Sequence, residues 1–199
     1  MTARSIALED GGELWLDEEW LSPPEAAGLL EGLMREIPWE QREIMMMGRR
    51  ILQPRMVAWI GDSEAVYTYS GVTNTPVPWT PRLAELRVRV EAAAGVRFNS
   101  VLANLYRDER DSMGMHADNE KELGPDPVIA SLSLGATRRF QLRHAKKKSV
   151  AGRDFELGSG ALLIMRGATQ RFYRHGVRKE REPRGPRLNL TFREIKRSP

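Results

Sequence analysis

The chain has 199 residues and a mass of 22.6 kDa, and 41% of its residues are hydrophobic and 29% charged, which is typical of one folded domain. The absence of cysteine excludes disulfides, zinc–thiolate sites and cysteine nucleophiles and suits a reducing compartment, so we expect a cytoplasmic protein. No apolar run approaches the roughly 20 residues of a membrane-spanning helix, and the acidic start lacks the apolar core of a signal peptide, so we expect no membrane partner.

The first forty residues predict a tail, a strand and a helix. Residues 1–13 are acidic and are expected to form a mobile tail, and residues 14–16 predict a short strand. Residues 22–25, Ser-Pro-Pro-Glu, are typical of a helix start, with a Ser cap and proline in the first turn. Apolar residues then recur at helical spacing up to Pro38, which ends the pattern.

The next segment predicts a hairpin and a second helix. Two short apolar runs flank Gly48 within residues 44–52, which indicates a β-hairpin, and residues 55–60 and 65–70 have extended character. After a proline-rich connection, apolar residues at helical spacing predict the second helix; they are Leu83, Leu86, Val90 and Ala94.

From Phe98 onward, short apolar runs alternate with Gly, Asp and Pro, which is typical of a sandwich or barrel. We therefore predict an α+β fold in one compact domain, with two helices covering one sheet, divided into a tail (1–13), helices and hairpins (14–97) and a β core (98–199). The predicted strands of the core are 98–106, 113–117, 128–134, 138–143, 149–157, 161–166, 171–177 and 187–194.

Charge is distributed unevenly between the two halves of the chain. Residues 1–100 contain 10 Arg and 15 acidic residues, a net charge of −5, whereas residues 101–199 contain 21 basic and 12 acidic residues, a net charge of +9. A basic half indicates either a polyanionic partner such as nucleic acid or an ordinary solvated surface. Charge alone does not separate these two interpretations.

Two of the three histidines have surroundings that suit a metal. His116 and Asp118 are two residues apart, so on a strand they share one face. His175 follows several strands later and completes a set of two imidazoles and one carboxylate, the ligand set of non-haem Fe(II) oxygenases. A His-x-Asp pair also arises by chance, and a structural histidine is the alternative interpretation. His144 lies among basic residues and is expected to be a solvated loop residue or a phosphate contact.

Residues 187–193 alternate strictly between polar and apolar side chains. One face carries Arg187, Asn189, Thr191 and Arg193, and two guanidinium groups in a row suit a small dicarboxylate. A solvated edge strand is the alternative. Asn104 and Tyr106 alternate in the same way just ahead of His116 and are candidates to complete the same pocket.

These residues together resemble the AlkB-type, Fe(II)- and 2-oxoglutarate-dependent nucleic-acid demethylases, over roughly residues 40 to 195. The motifs of the resemblance are Asn104-Leu105-Tyr106, His116-Ala117-Asp118, Ser131-Leu132-Ser133-Leu134-Gly135, His175 and Arg187-Leu188-Asn189-Leu190-Thr191-Phe192-Arg193. The resemblance is to the branch that acts on double-stranded DNA. It implies a double-stranded β-helix, a jelly-roll-like core, and Fe(II), 2-oxoglutarate and O₂ as cofactor and cosubstrates.

The resemblance also implies roles for particular residues. His116, Asp118 and His175 match the catalytic iron ligands, and Arg187 matches the residue that pairs with the distal carboxylate of 2-oxoglutarate. The other implied 2-oxoglutarate contacts are Asn104, Tyr106, Ser131, Asn189 and Arg193. The implied activity is oxidative demethylation of N-alkylated bases such as 1-methyladenine and 3-methylcytosine in DNA, with release of succinate, CO₂ and formaldehyde.

A methyl group on a pairing nitrogen lies inside the duplex, so the resemblance implies that the base is turned out into a pocket. Tyr67 and Tyr69 match aromatic residues that stack on such a base, although packing within a hairpin is the alternative. Met47 matches an apolar finger that fills the vacated stack, with core packing as its alternative. The remaining implied substrate contacts are Arg55, Ser70, Asn119 and Glu120. Asn119 stands where close relatives often have an acid, so either Glu120 compensates for it or the enzyme accepts neutral etheno adducts better.

Phosphate contacts are expected among Arg138, Arg139, Lys146, Lys147, Lys148, Arg171, Arg174 and Arg178. We also expect the protein to be a monomer. Three other interpretations remain. They are the same chemistry on RNA or on a protein methyl group, a nucleic-acid-binding relative without activity, and a cupin-like metal protein that does not use 2-oxoglutarate.

Overall fold

The computed structural model describes residues 3–46, 48–69 and 72–196. Within this described part of the chain, no helix has the length and apolar character needed to cross a membrane.

The chain forms fifteen strands, three α-helices and two short 3₁₀ turns in the described residues. The N-terminal elements are β1 (Arg4–Ala7), β2 (Gly12–Asp17), α1 (Pro23–Glu36), β3 (Glu43–Met46), β4 (Arg49–Leu52), β5 (Met56–Gly61), β6 (Tyr67–Tyr69), β7 (Val72–Asn74) and α2 (Pro81–Ala94). The remaining elements are β8 (Ser100–Tyr106), β9 (Met113–His116), β10 (Ile129–Gly135), β11 (Arg138–His144), β12 (Arg153–Leu157), β13 (Leu162–Gly167), α3 (Thr169–Phe172), β14 (Tyr173–Val177) and β15 (Arg187–Arg193).

Two antiparallel sheets form the body of the molecule. The larger has seven strands in the order β1-β2-β13-β10-β15-β8-β5, and the smaller has four in the order β12-β11-β14-β9. The hairpins β3–β4 and β6–β7 form separate two-stranded sheets. Because β15 pairs with β10 on one side and β8 on the other, it is a central strand, and the edge-strand alternative for residues 187–193 is wrong.

Helices α1 and α2 pack on the seven-stranded sheet, as predicted. The apolar residues at helical spacing in α2 are all buried in one cluster with those of α1 and of strands β5, β8, β10 and β15. Thr80 caps α2 by accepting a hydrogen bond from the Leu83 N–H at 3.3 Å. Ser22 is the N-cap residue of α1, but its side chain makes no capping hydrogen bond.

A second apolar cluster fills the space between the two sheets. It includes Leu14, Leu16 and Leu163 of the larger sheet and Phe140 and Leu142 of the smaller one. The inward faces of the two sheets therefore oppose each other, and polar residues of β8 and β15 such as Asn104 and Asn189 lie between them. The apolar residues that alternate with these polar ones, such as Ala103 and Leu190, belong to the first cluster on the opposite face of the sheet.

The expectation of a mobile tail over residues 1–13 is wrong for the residues that form strands. Strand β2 begins at Gly12 and pairs with β13, and β1 pairs with β2 in turn, with Arg4 opposite Leu16. Burial of Leu14 and Leu16 fixes β2 in the sheet, and its free edge then supplies hydrogen-bond partners for β1.

The other predicted elements are confirmed, with shifted bounds. All eight strands predicted after Phe98 are present, and the hairpin around Gly48 is β3–β4. The predicted strand 171–177 is shorter, because residues 169–172 form α3 and β14 begins at Tyr173.

Candidate metal and cosubstrate site

His116, Asp118 and His175 meet on the smaller sheet. His116 ends β9 and lies directly opposite His175 on β14, while Asp118 follows two residues beyond the end of β9. Their nearest ligand atoms all lie within 4.8 Å of one another. The Asp118 carboxylate lies 3.9 Å from His116 Nε2 and 3.7 Å from His175 Nε2. Strand pairing thus joins two histidines that are far apart in the sequence.

The charge state of this cluster suits a cation. Burial alone would raise the pKa of the Asp118 carboxyl, but Arg193, His175 and His116 outweigh it and hold that pKa below 3.8. Burial, followed by the neighbouring His116, lowers the pKa of His175 from 6.5 to about 3. His116 Nδ1 lies 2.9 Å from the Gly114 carbonyl oxygen, so a proton there leaves Nε2 free to act as a ligand. At neutral pH Asp118 therefore offers a carboxylate and His175 offers a neutral imidazole nitrogen.

A cavity extends from these three residues along the polar side chains of β8, β10 and β15 in the larger sheet. All six residues predicted to contact 2-oxoglutarate line it, and they are Asn104, Tyr106, Ser131, Arg187, Asn189 and Arg193. Asn189 donates to Ser131 Oγ at 2.8 Å and accepts from Thr191, so its amide is fixed within the cavity wall.

Arg187 occupies one end of the cavity and is 1% exposed. Its Nη2 donates to Ser133 Oγ at 2.9 Å, while Nε and Nη1 are buried without a hydrogen-bond partner in the protein. Its guanidinium lies over the Tyr106 ring at 5.2 Å, and Arg138 lies over the same ring at 5.6 Å. Burial lowers the pKa of Arg187, yet a guanidinium remains charged in proteins. A buried cation with unpaired donors implies an anionic ligand.

These residues fit the iron and the dicarboxylate that the sequence implies. Two imidazoles and one carboxylate on one side of a cavity form the donor set of a facial triad. Asp118 Oδ2 is buried without a hydrogen-bond partner, as is expected of an atom reserved for a metal. The unpaired Arg187 donors match the fork geometry that binds a carboxylate.

The structure describes the side chains of only some of the residues predicted to contact substrate. Met47 and Ser70 lie outside the described residues, and Tyr67 and Tyr69 lie on β6, where the structure describes the backbone alone. Arg55 is buried and donates from Nε to Asn104 Oδ1 at 2.8 Å, so it contacts the cavity wall. Asn119 is exposed, and Glu120 is half-buried with an unpartnered Oε2; its burial raises the pKa of that carboxyl.

Two expectations about basic residues need correction. Arg138 is fully buried and donates to the carbonyl oxygens of Asp108, Asp111 and Arg178, so it is not a phosphate contact. His144 is not a solvated loop residue, because it ends β11 with a side chain that is 1% exposed. Its Nε2 lies 2.8 Å from Asp10, which also pairs with Lys147.

Sequence reasoning missed several residues that complete the site. Ser133 follows Ser131 at a spacing of two on β10, a periodicity that was available in the sequence. Met113, Phe140 and Met165 also line the cavity, but each resembles an ordinary core residue in the sequence. Only the tertiary arrangement separates them from the rest of the core.

A comparison with known protein families agrees with this fold and this set of candidate ligands. Residues 14–193 match the family model described as the 2OG-Fe(II) oxygenase superfamily. The chain belongs to this superfamily.

Similarity to individual proteins identifies the family within this superfamily. The human protein named alpha-ketoglutarate-dependent dioxygenase alkB homolog 3 is 46% identical over 180 residues, which cover 86% of this chain and 62% of that protein. The human DNA oxidative demethylase ALKBH2 is 36% identical over 180 residues, covering 86% of this chain and 69% of that protein. Within the superfamily, the chain therefore belongs to the AlkB family.

The chain spans about three fifths of the length of the alkB homolog 3 proteins that it matches. Among solved structures, the one described as the structure of OsALKBH1 has a TM-score of 0.65 at 17% identity, covering 96% of this chain and 100% of that one. An oxidoreductase of the 2OG-Fe(II) oxygenase family from Burkholderia pseudomallei has a TM-score of 0.60 at 17% identity, covering 96% of this chain and 90% of that one. At this identity the likeness concerns the fold.

Proposed function

We propose that this protein is an Fe(II)- and 2-oxoglutarate-dependent dioxygenase that removes N-alkyl groups, such as those of 1-methyladenine and 3-methylcytosine, from DNA. The observation that carries the proposal is one cavity that joins the His116, Asp118 and His175 cluster to the unpaired donors of Arg187. A metal site alone fits many enzymes, but a buried cationic end beside it fits a cosubstrate with a second carboxylate.

Each part of the cavity has a distinct task in this proposal. His116, Asp118 and His175 hold Fe(II), and Arg187 binds the distal carboxylate of 2-oxoglutarate, supported by Ser133 and Tyr106. Bound Fe(II), with 2-oxoglutarate and O₂, supplies the oxidation of the N-methyl group, which is then lost as formaldehyde while succinate and CO₂ are released. The remaining contacts to 2-oxoglutarate are proposed for Asn104, Tyr106, Ser131, Asn189 and Arg193.

Nucleic acid is the proposed substrate class. The relatives at 36–46% identity include one whose name states DNA oxidative demethylase. The C-terminal half carries a net charge of +9, and several of its cations, including Arg174 and Arg178, are exposed. Such cations would contribute salt-dependent binding of the phosphate backbone. Glu120 would face a cationic base with a half-buried carboxyl, and Tyr67, Tyr69, Arg55 and Met47 remain proposed substrate contacts.

The two facing sheets support a finer proposal about the fold. We propose that they form the double-stranded β-helix implied by the sequence, because each sheet contributes one side of the cavity and all pairings between the named strands are antiparallel. The monomeric state and the cytoplasmic location stay predictions.

Mass spectrometry of methylated oligonucleotides tests the proposed function. Single- and double-stranded DNA and matched RNA, each with one 1-methyladenine, are incubated with the protein, Fe(II) and 2-oxoglutarate. We expect loss of one methylene mass from DNA with an equal amount of succinate, and no loss when 2-oxoglutarate is omitted. Demethylation of RNA alone would replace DNA by RNA as substrate. Unchanged oligonucleotides of all three kinds would refute nucleic-acid demethylation.

A further inference from the structure

Gln170 is a buried residue whose side chain contacts the backbone of one candidate iron ligand, Asp118. It lies on α3, is 2% exposed, and accepts a hydrogen bond at Oε1 from the Asp118 backbone N–H at 2.9 Å. Its Nε2 lies 3.3 Å from Met165 Sδ, which fixes the orientation of the amide. The side chain therefore presents its oxygen to Asp118 and its nitrogen to sulfur.

Asp118 needs such a partner because it lies outside the strands. Strand β9 ends at His116, so Asp118 sits in the following loop, and it is 2% exposed. A buried N–H that lacks an acceptor is strongly unfavourable. Gln170 satisfies this N–H and at the same time fixes the distance between the loop and α3.

Helix α3 is itself fixed to the larger sheet and leads directly into a second ligand. Thr169 Oγ1 accepts from the Glu13 N–H at 3.0 Å and donates to the Arg166 carbonyl oxygen at 2.5 Å. Strand β14 follows without a break and carries His175, five residues after Gln170. One short segment thus carries one ligand and holds the backbone of another.

We propose that Gln170 is a positioning residue for the metal centre: its amide oxygen holds the Asp118 loop at the spacing from His175 that a single metal ion requires. The proposal rests on the metal site of the proposed function. Partners behind metal ligands orient those ligands, and their loss typically weakens metal affinity about 10–100-fold.

Metal titration of the full chain tests this role without turnover. The stripped protein is titrated with Mn(II), in the absence of 2-oxoglutarate, for the wild type and for Gln170→Met, Gln170→Glu and Thr169→Val. Met matches the length of Gln but lacks an acceptor, so we expect Mn(II) affinity to fall about 10–100-fold. Glu retains an acceptor oxygen and should restore affinity. Thr169→Val is the matched control, because it weakens the docking of α3 and leaves the Asp118 contact in place.

Hydrogen exchange of the Asp118 amide supplies a readout on the metal-free protein. We expect slow exchange in the wild type and in Thr169→Val, and fast exchange in Gln170→Met. If Gln170→Met does not fold, Gln170→Asn replaces it, since the shorter side chain withdraws the acceptor by one methylene group, and the same readings apply.

The outcomes separate this role from the metal site itself. Equal Mn(II) affinity in the wild type and Gln170→Met, equal losses in Gln170→Met and Thr169→Val, or fast wild-type exchange would each overturn the role of Gln170. A wild-type protein that binds no Mn(II) would refute the metal site, and this role with it.

Discussion

Arg193 Nη2 lies 2.7 Å from Asp118 Oδ1, and both side chains are nearly inaccessible to solvent. This ion pair joins the end of β15 in the larger sheet to the metal-site loop that follows β9 in the smaller sheet. A carboxylate held in this way stays ionised before any metal arrives, because Arg193 and the two imidazoles outweigh the effect of burial on its pKa. The pair therefore contributes both to the joining of the sheets and to the charge of the site.

Asp118→Ala should abolish metal binding and destabilise the metal-free protein by about 3–5 kcal/mol, since the substitution leaves the buried Arg193 guanidinium without its anion. Chemical denaturation of the stripped protein measures the loss. Glu156→Ala is the control, because it removes an exposed partner of Arg139 at 2.8 Å and should cost about 0–1 kcal/mol. Losses of the same size in both variants would contradict the structural importance of the Asp118 pair.

Arg187→Ala should raise the KM for 2-oxoglutarate about 10–100-fold, because a hydrogen bond to a charged group contributes about 1.5–3 kcal/mol. Initial rates of succinate formation at varied 2-oxoglutarate measure the change. Arg184→Ala serves as control, since Arg184 is exposed and pairs with Glu180. A KM that stays at the wild-type value in Arg187→Ala would exclude Arg187 as the carboxylate ligand.

Gly176→Ala should weaken metal binding by separating His116 from His175. A Cβ at Gly176 would lie 2.8 Å from the Met113 carbonyl oxygen and 3.0 Å from that of Gly114, so β9 would have to move away from β14. We expect Mn(II) affinity to fall at least about tenfold, as for other changes that displace ligands. Gly114→Ala is the matched control on the facing strand, where a Cβ meets nothing within 4 Å. Unaltered affinity in Gly176→Ala would show that the two strands can separate without cost to the site.

Asp111→Asn should reduce stability by about 1–2 kcal/mol at neutral pH and by less in acid, since the charged hydrogen bonds are lost. Burial raises the pKa of Asp111, but hydrogen bonds from Arg107 outweigh it, and the pKa lies below 3.8 in the folded protein. A carboxyl whose folded pKa is lowered stabilises above its unfolded pKa, and this contribution disappears as the pH falls through the folded value. The unfolding midpoints of wild type and variant should therefore converge below about pH 4. A constant difference across that range would exclude the charge as its source.

Glu120→Gln should reduce turnover of the cationic base 1-methyladenine relative to a neutral etheno adduct, because the variant removes a half-buried acid near the metal ligands. The ratio of kcat/KM for the two lesions in otherwise identical oligonucleotides measures the effect. The attraction between two partly buried charges is strong enough for this ratio to fall several-fold. Asn119→Ala is the comparison, since Asn119 is exposed and neutral. An identical ratio in wild type and Glu120→Gln would remove Glu120 from lesion selection.

Local sequence patterns were insufficient to predict the structure of residues 1–13 and the environment of His144. Acidic composition suggested a tail, but β1 acquires its hydrogen-bond partners from β2, and β2 acquires its own from β13, some 150 residues later. His144 lies in a basic stretch of the sequence, yet its imidazole pairs with Asp10, which is near the N-terminus. In both cases the deciding partner is distant in sequence.

Local sequence patterns were sufficient to predict the strands of the core and the polar face of β15, because side-chain alternation with a period of two is a local property that also separates the two faces of a strand. It also indicated the three candidate ligands, through residue types that suit iron and their similarity to a known family. The folded arrangement was needed to show that His116 lies opposite His175, that Arg187 has two unpaired donors, and that Gln170 accepts a hydrogen bond from Asp118. Those relationships arise from strand pairing and packing between distant segments, and no local periodicity encodes which segments will meet.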